Sequence, residues 1–280
     1  MKRSAFVPGV LSWALFSCSG GGSDPATEMA HQHQGDAPVA TEAALAEPAA
    51  EVETQTVAYA TVNGQQVQGY LARPTGVEGP LPGVIVIHEW WGLNDNIRSM
   101  AEQLAGQGYR ALAVDLYRGA SASTPDEAQN LMRASMEKSG ELTENLKQAY
   151  AYLSDGGQKV GTIGWCFGGG WSLQTALALP ADIDATVIYY GRLVADKAEL
   201  EKLPMPILGI FGAEDEGIPV ESVRAFESAL KELGKNASIH VYEGADHAFA
   251  NPSGQNYQAE PAADAWQKTL AFFEEHLKLS

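Results

Sequence analysis

The chain reads as an α/β protein, a mostly parallel sheet covered by helices on both faces. Three observations predict this. Apolar runs of strand length alternate with amphipathic stretches of helical length through most of the sequence, the pattern of strands joined by crossover helices. One run, Val84-Ile85-Val86-Ile87, is apolar at every position, as in a strand buried on both sides. A third, Val160 to Gly164, leads straight into a glycine-rich turn and a helical stretch. With 280 residues, 45% of them hydrophobic, the chain can bury one sizeable core.

The first segment lies outside that core. Lys2 and Arg3 precede an apolar stretch, Ala5 to Phe16, that is too short to span a bilayer, and small residues follow. Residues 1–18 are therefore expected to be an export signal. Leu15-Phe16-Ser17-Cys18 resembles a bacterial lipobox, with Cys18 the lipidated residue and Phe16 bulkier than the usual occupant of its position. This implies an exported protein of the bacterial cell envelope, held to the membrane by its N-terminal lipid. Residues 19–55 contain no aromatic residue, lysine or arginine, and are expected to form a disordered tether. His31 and His33 fall in it, and an H-x-H in such a tract is expected to be incidental.

The folded domain is expected over residues 56–280. Thr56 to Ala60 and Gln66 to Ala72, on either side of Asn63-Gly64, predict a hairpin with a tight turn. The buried strand through Val84 to Ile87 comes next, then a helix from Asn96 to Gln107 with Ile97, Met100, Ala101 and Leu104 on one face. Ala111 to Val114 is a strand; Asp126 to Met136 and Glu141 to Leu153 are helices. Strands follow at Val160 to Gly164, Ala185 to Tyr190, Pro206 to Phe211 and Ser238 to Tyr242. The helices between and after them span Gly169 to Leu179, Glu221 to Leu233 and Pro261 to Leu277.

A formal charge of −17, which loss of Lys2 and Arg3 with the signal would make more negative, argues against nucleic acid or anionic lipid surfaces as partners. Its main effect is solubility, and a monomer is expected. Of the two cysteines, lipidation would consume Cys18, leaving Cys166 without a disulfide partner in an oxidising compartment. An exported lone thiol is costly to keep unless it has chemistry to do.

Cys166 lies in Gly164-Trp165-Cys166-Phe167-Gly168, the G-x-nucleophile-x-G pattern of a sharp strand-to-helix turn. In parallel α/β sheets the site lies at the carboxyl ends of the strands. Asp215 and His247 each follow a strand there, which gives the order nucleophile, acid, base. The chemistry needs these types: a thiol must ionise to attack, an imidazole takes its proton, and a carboxylate on the far ring nitrogen fixes the tautomer.

The segments His88-Glu89-Trp90-Trp91-Gly92, Asp115-Leu116-Tyr117, Gly164 to Gly169, Tyr189-Tyr190-Gly191, Gly212-Ala213-Glu214-Asp215 and Gly244 to Pro252, taken in order, resemble the dienelactone hydrolase (carboxymethylenebutenolidase) family of α/β-hydrolases. The resemblance covers the chain from about residue 56 onward. It implies the α/β-hydrolase fold and a Cys166, Asp215, His247 triad with no metal or organic cofactor. It further implies that Glu89 holds the resting thiol, and that the backbone N–H groups of Trp90 and Phe167 form the oxyanion hole. Family members that act on dienelactone bind its carboxylate with arginines; the matching positions here are Asn130 and Asn251, which cannot make that bidentate pair. Trp91 and Tyr190, with Asn130 and Asn251, are the expected substrate-pocket residues. The expected activity is cleavage of a lactone or activated ester through a thioester. The alternatives are a promiscuous carboxylesterase or thioesterase, and a catalytically silent envelope binding protein.

Overall fold

A computed structural model describes residues 46–278 together with Ala30, His33, Asp36, Pro38 and Thr41. The expected signal and Cys18 lie outside the described residues. Eight strands form one sheet: β1 (Val52–Val62), β2 (Gln65–Pro74), β3 (Gly83–Ile87), β4 (Arg110–Val114), β5 (Val160–Trp165), β6 (Ala185–Tyr189), β7 (Ile207–Gly212) and β8 (Ala237–Tyr242). Their spatial order is β1-β2-β4-β3-β5-β6-β7-β8. The β1–β2 hairpin turns at Asn63-Gly64, both with positive φ, and β2 joins β4 antiparallel. All later pairings are parallel. The helices are α1 (Asp95–Gly106), α2 (Pro125–Met136), α3 (Ser139–Leu153), α4 (Phe167–Ala178), α5 (Lys197–Leu200), α6 (Val220–Glu232) and α7 (Ala259–Phe273), and the last runs into a π turn, Glu274–Lys278. None of the described helices is long and apolar enough to cross a membrane.

Every residue of β3, β5, β6 and β7 is buried, so helices cover both faces of the sheet as the continuous apolar runs require. The outer strands β1 and β8 are partly exposed. Local signals set the helix starts. Asn94 Oδ1 caps α1 by accepting the Ile97 N–H at 3.2 Å, and Thr124 caps α2 ahead of Pro125. The four-residue α5 had no periodic pattern to announce it. The hairpin begins at Val52 rather than Thr56, so the first part of β1 lies in what composition assigned to the tether.

The register brings the strand ends level: Ile87 is opposite Val114 and Gly164, Trp165 opposite Tyr189, and Gly212 opposite Tyr242. The loops beyond these residues share one edge of the sheet. Thr162 Oγ1 and Ser172 Oγ, 2.9 Å apart, tie α4 to β5, and Ser172 donates to the Val187 carbonyl of β6 at 2.8 Å. That fixes the helix behind Cys166 against two strands.

Candidate active site

Cys166 stands between β5 and α4 with φ 56° and ψ −117°, in a region where non-glycine residues are strained. Two glycines make the turn fit. A Cβ on Gly164 would lie 2.1 Å from the Gly168 carbonyl oxygen, and one on Gly168 would lie 2.3 Å from that of Ile87. The Cys166 N–H donates to the Tyr189 carbonyl at 3.0 Å, which holds the elbow to β6. The side chain is buried, and the residue forms no disulfide among the described residues.

Asp215 and His247 meet it from the loops after β7 and β8. His247 Nδ1 donates to Asp215 Oδ2 at 2.7 Å, and Asp215 Oδ1 accepts the Gly217 and Ile218 N–H groups at 2.9 and 2.8 Å. The aspartate is thus locked on one side and aimed at the ring on the other. With Nδ1 committed, Nε2 of His247 is buried without a hydrogen-bond partner among the described residues, and a ring nitrogen of His247 lies within 4.8 Å of the sulfur. Tyr190, at the end of β6, packs edge-on against the ring at 5.2 Å between centroids.

Burial alone would raise the thiol and lower the imidazole, but their mutual attraction wins. Against the desolvation cost, the His247 charge and hydrogen bond, with a smaller share from His33, bring Cys166 down to about 6. His247 is held well above its ordinary range by the thiolate and by Asp215, which outweigh its own burial. Burial pushes Asp215 up, yet the His247 charge and its N–H donors leave it below the usual carboxylate range. The resting state these directions favour is thiolate, imidazolium and carboxylate.

Glu89 follows β3 and is buried. Burial and then the Cys166 charge push its carboxyl up to about 8, with partial relief from His33 and His247, so it is protonated at neutral pH. Its Oε2 accepts from Asn251 Nδ2 at 2.8 Å, while Oε1 has no partner among the described residues. Asn251 is in turn held by Asn96 and by the Ser253 N–H. Its amide therefore positions Glu89, although it also borders a small cavity. His88 is a structural neighbour: Nδ1 donates to the Glu89 carbonyl at 2.5 Å and Nε2 accepts the Leu116 N–H at 3.1 Å, the neutral tautomer that its lowered pKa calls for. The N–H groups of Trp90 and Phe167 donate to no protein acceptor among the described residues.

The cavity beside Glu89 measures about 30 Å³ and is bordered by Asn96, Ile97, Trp165, Tyr190 and Asn251 among others. That is room for one water. Larger hollows near Arg110 and near Tyr70 touch none of the triad. Of the expected pocket residues, Tyr190 and Asn251 border the cavity, and Trp91 lies buried behind Trp90 with ring centroids 5.0 Å apart. Asn130 is exposed on α2 and makes none of the hydrogen bonds around Glu89.

The residues that sequence reasoning missed are His33 and Asp36. Composition assigned them to the tether, yet His33 is 1% exposed and its Nε2 lies 4.0 Å from Cys166 Sγ. A histidine followed three positions later by an aspartate was the one signal present. Asn96 was also unforeseen, its polar side chain buried on the inner face of α1.

The family model of the dienelactone hydrolases matches residues 67–277. "Protein usf" of Aquifex pyrophilus is 36% identical over 224 residues, spanning 77% of this chain and 96% of that protein. The "Putative carboxymethylenebutenolidase" of Saccharolobus solfataricus is 33% identical over 248 residues, spanning 75% and 94%. Among solved structures, the dienelactone hydrolase of Anabaena variabilis superposes with a TM-score of 0.60 at 23% identity, over 81% of this chain and 99% of that one, a likeness of fold. Matched along nearly all of its folded part, with its strand order and elbow in place, this chain belongs to the dienelactone hydrolase family of α/β-hydrolases.

Proposed function

We propose that this hydrolase of carboxylic esters cleaves a lactone or an activated ester with Cys166 as nucleophile, His247 as base and acid, and Asp215 as the group that orients it. One observation carries the reading: a strained elbow cysteine within 4.8 Å of a ring nitrogen of His247, whose Nδ1 is bonded to a buried carboxylate at 2.7 Å. The Cys166 thiolate adds to the substrate carbonyl carbon, and the oxyanion that forms accepts from the Trp90 and Phe167 N–H groups. Collapse of this intermediate breaks the carbon–oxygen bond, and the departing oxygen takes its proton from the His247 imidazolium. Water, giving a proton to His247, then adds to the thioester and releases the carboxylate product and the thiolate.

Thiolate is itself a good leaving group, so the tetrahedral intermediate goes forward only if the substrate's oxygen departs readily. Enol and aryl esters satisfy this and amides do not. Asparagine at Asn251, already bonded to Glu89, offers no guanidinium for an anionic substrate, and the acidic surface repels one. A neutral lactone or ester fits better. Cys18 belongs to the same proposal as the lipid anchor that would hold the enzyme in the cell envelope.

The test is a panel of aryl esters, lactones and acyl thioesters, hydrolysed by the intact protein and by Cys166→Ala, with acyl-Cys166 trapped and read by mass spectrometry. An adduct on Cys166 and loss of turnover in the variant are expected. Equal rates in both proteins would remove Cys166 from the mechanism and favour a silent binding protein.

A further inference from the structure

The segment ahead of β1 brings two side chains that the hydrolytic reading leaves unused. His33 packs against Trp90 with ring centroids 4.8 Å apart and edge-on to His247 at 5.3 Å. Its Nδ1 donates to Asp36 Oδ2 at 2.7 Å, and Asp36 Oδ1 accepts the Gln255 N–H at 2.9 Å. Thr41 Oγ1, further along, donates to the Pro252 carbonyl at 2.9 Å. The His33–Asp36 pair thus repeats His247–Asp215, with the same atoms at the same 2.7 Å. Two carboxylate-backed imidazoles face one sulfur, and one ligand atom from each of His33, Cys166 and His247 lies within 4.8 Å of the others.

We propose that His33, Cys166 and His247 form a binding site for a thiophilic divalent cation of the zinc class, and that filling it silences the hydrolase. The donor set decides the class of ion. One thiolate and two imidazoles suit zinc and its neighbours, whereas magnesium and calcium require oxygen ligands. Zinc–sulfur and zinc–nitrogen bonds of about 2.3 and 2.0–2.1 Å in a tetrahedron separate the ligand atoms by about 3.3–3.6 Å. The present His33 Nε2 to Cys166 Sγ distance is 4.0 Å and all three separations are within 4.8 Å, so closure needs shifts of up to about 1.5 Å.

The supporting shell is already built. A ligating histidine commonly donates its other N–H to a carboxylate, which orients the ring and raises its basicity, and here both do. The ion's two positive charges face three negative ones, the thiolate and the Asp36 and Asp215 carboxylates behind the imidazoles, so the buried cation is more than neutralised. Any protons on the three ligating atoms leave to solvent as the ion binds.

Because one ligand belongs to the N-terminal arm, ion and arm hold each other in place. With the ion bound, the Cys166 sulfur shares its charge with the metal and is a much weaker nucleophile, and the ligating nitrogen of His247 has no electron pair for a proton. The silencing rests on the hydrolytic reading above; the binding site does not.

The experiment is a Co²⁺ titration of the full-length protein in detergent after chelation. Expected are one equivalent bound, a sulfur-to-cobalt charge-transfer band, and visible bands of four-coordinate intensity. Cys166→Ser should remove the charge-transfer band, and His33→Ala should weaken binding at least tenfold. Asp36→Asn, which leaves all three ligands in place, should weaken it about tenfold. Thermal melts verify that each variant is folded. Zn²⁺ should displace the cobalt and abolish ester hydrolysis over the same concentration range. No charge-transfer band, or equal Co²⁺ affinity in folded His33→Ala and Asp36→Asn, overturns the site. Hydrolysis that persists at saturating Zn²⁺ overturns the silencing. A cobalt spectrum in a protein that hydrolyses no ester would instead keep the site and sink the hydrolytic reading.

Discussion

Replacing Glu89 with glutamine tests the electrostatics of the site without changing its shape. The native carboxyl is 3% exposed and titrates at about 8, against 4.5 for an ordinary glutamate. Between those values the folded protein keeps a proton that the unfolded chain has lost. The unfolded state then binds fewer protons, so stability falls as pH rises, by about 1.4 kcal/mol per pH unit, and levels off above about pH 8. At pH 7 the loss relative to pH 4.5 is about 3 kcal/mol. Glutamine still offers an oxygen to Asn251 Nδ2 and does not titrate. Its amide N–H₂ at the Oε1 position finds no partner and costs about 1–3 kcal/mol at every pH, so the slope is the clean readout. Urea denaturation of both proteins at pH 5, 6, 7 and 8 should give curves that converge toward low pH in every case except for that constant offset. The native protein should lose roughly 1 kcal/mol per unit more than the variant. Parallel pH dependences would refute the reading of Glu89 as a buried neutral acid.

Iodoacetamide should alkylate Cys166 at a rate that falls as pH drops through about 6, where the thiolate is protonated. In His247→Ala the same profile should move up toward an ordinary thiol near pH 8.5 and the rate at pH 6.5 fall roughly tenfold or more. Asp215→Asn should lower kcat for an aryl ester by about 10²–10⁴ with KM little changed, because it leaves the His247 tautomer unspecified. Gly168→Ala forces a Cβ to within 2.3 Å of the Ile87 carbonyl, and a loss of several °C in Tm along with activity is expected in a thermal melt. Finally, Cys18→Ser should abolish labelling by radioactive palmitate and release the enzyme from the membrane fraction; undiminished labelling would remove the anchor.

Much of the sheet was legible because a parallel strand covered on both sides has to be apolar throughout, as Val84 to Ile87 is. The elbow and the loops bearing Asp215 and His247 were legible for a related reason. Strand ends in a parallel sheet share one edge, so residues distant in sequence converge wherever their strands stop. Contacts between loops are not constrained in this way. Asn251 reaches Glu89, and Asn96 reaches both Asn251 and Ser253, by side-chain geometry that no spacing encodes. His33 and Asp36 were hidden most completely: they dock as one hydrogen-bonded pair out of a stretch that has no apolar period. A composition rule weighs a segment's average, and two side chains do not move it.

The elbow has an evolutionary consequence. A residue at φ 56° and ψ −117° costs of order 1–3 kcal/mol, and glycine would sit there with less strain. The most direct route to a sturdier protein therefore runs through the loss of Cys166 itself. A lineage released from the need for this thiol would be expected to shed it early, since drift and stability would then push the same way. A strained cysteine just past the end of β5 is thus a cost to stability that the chemistry proposed for its thiol would offset.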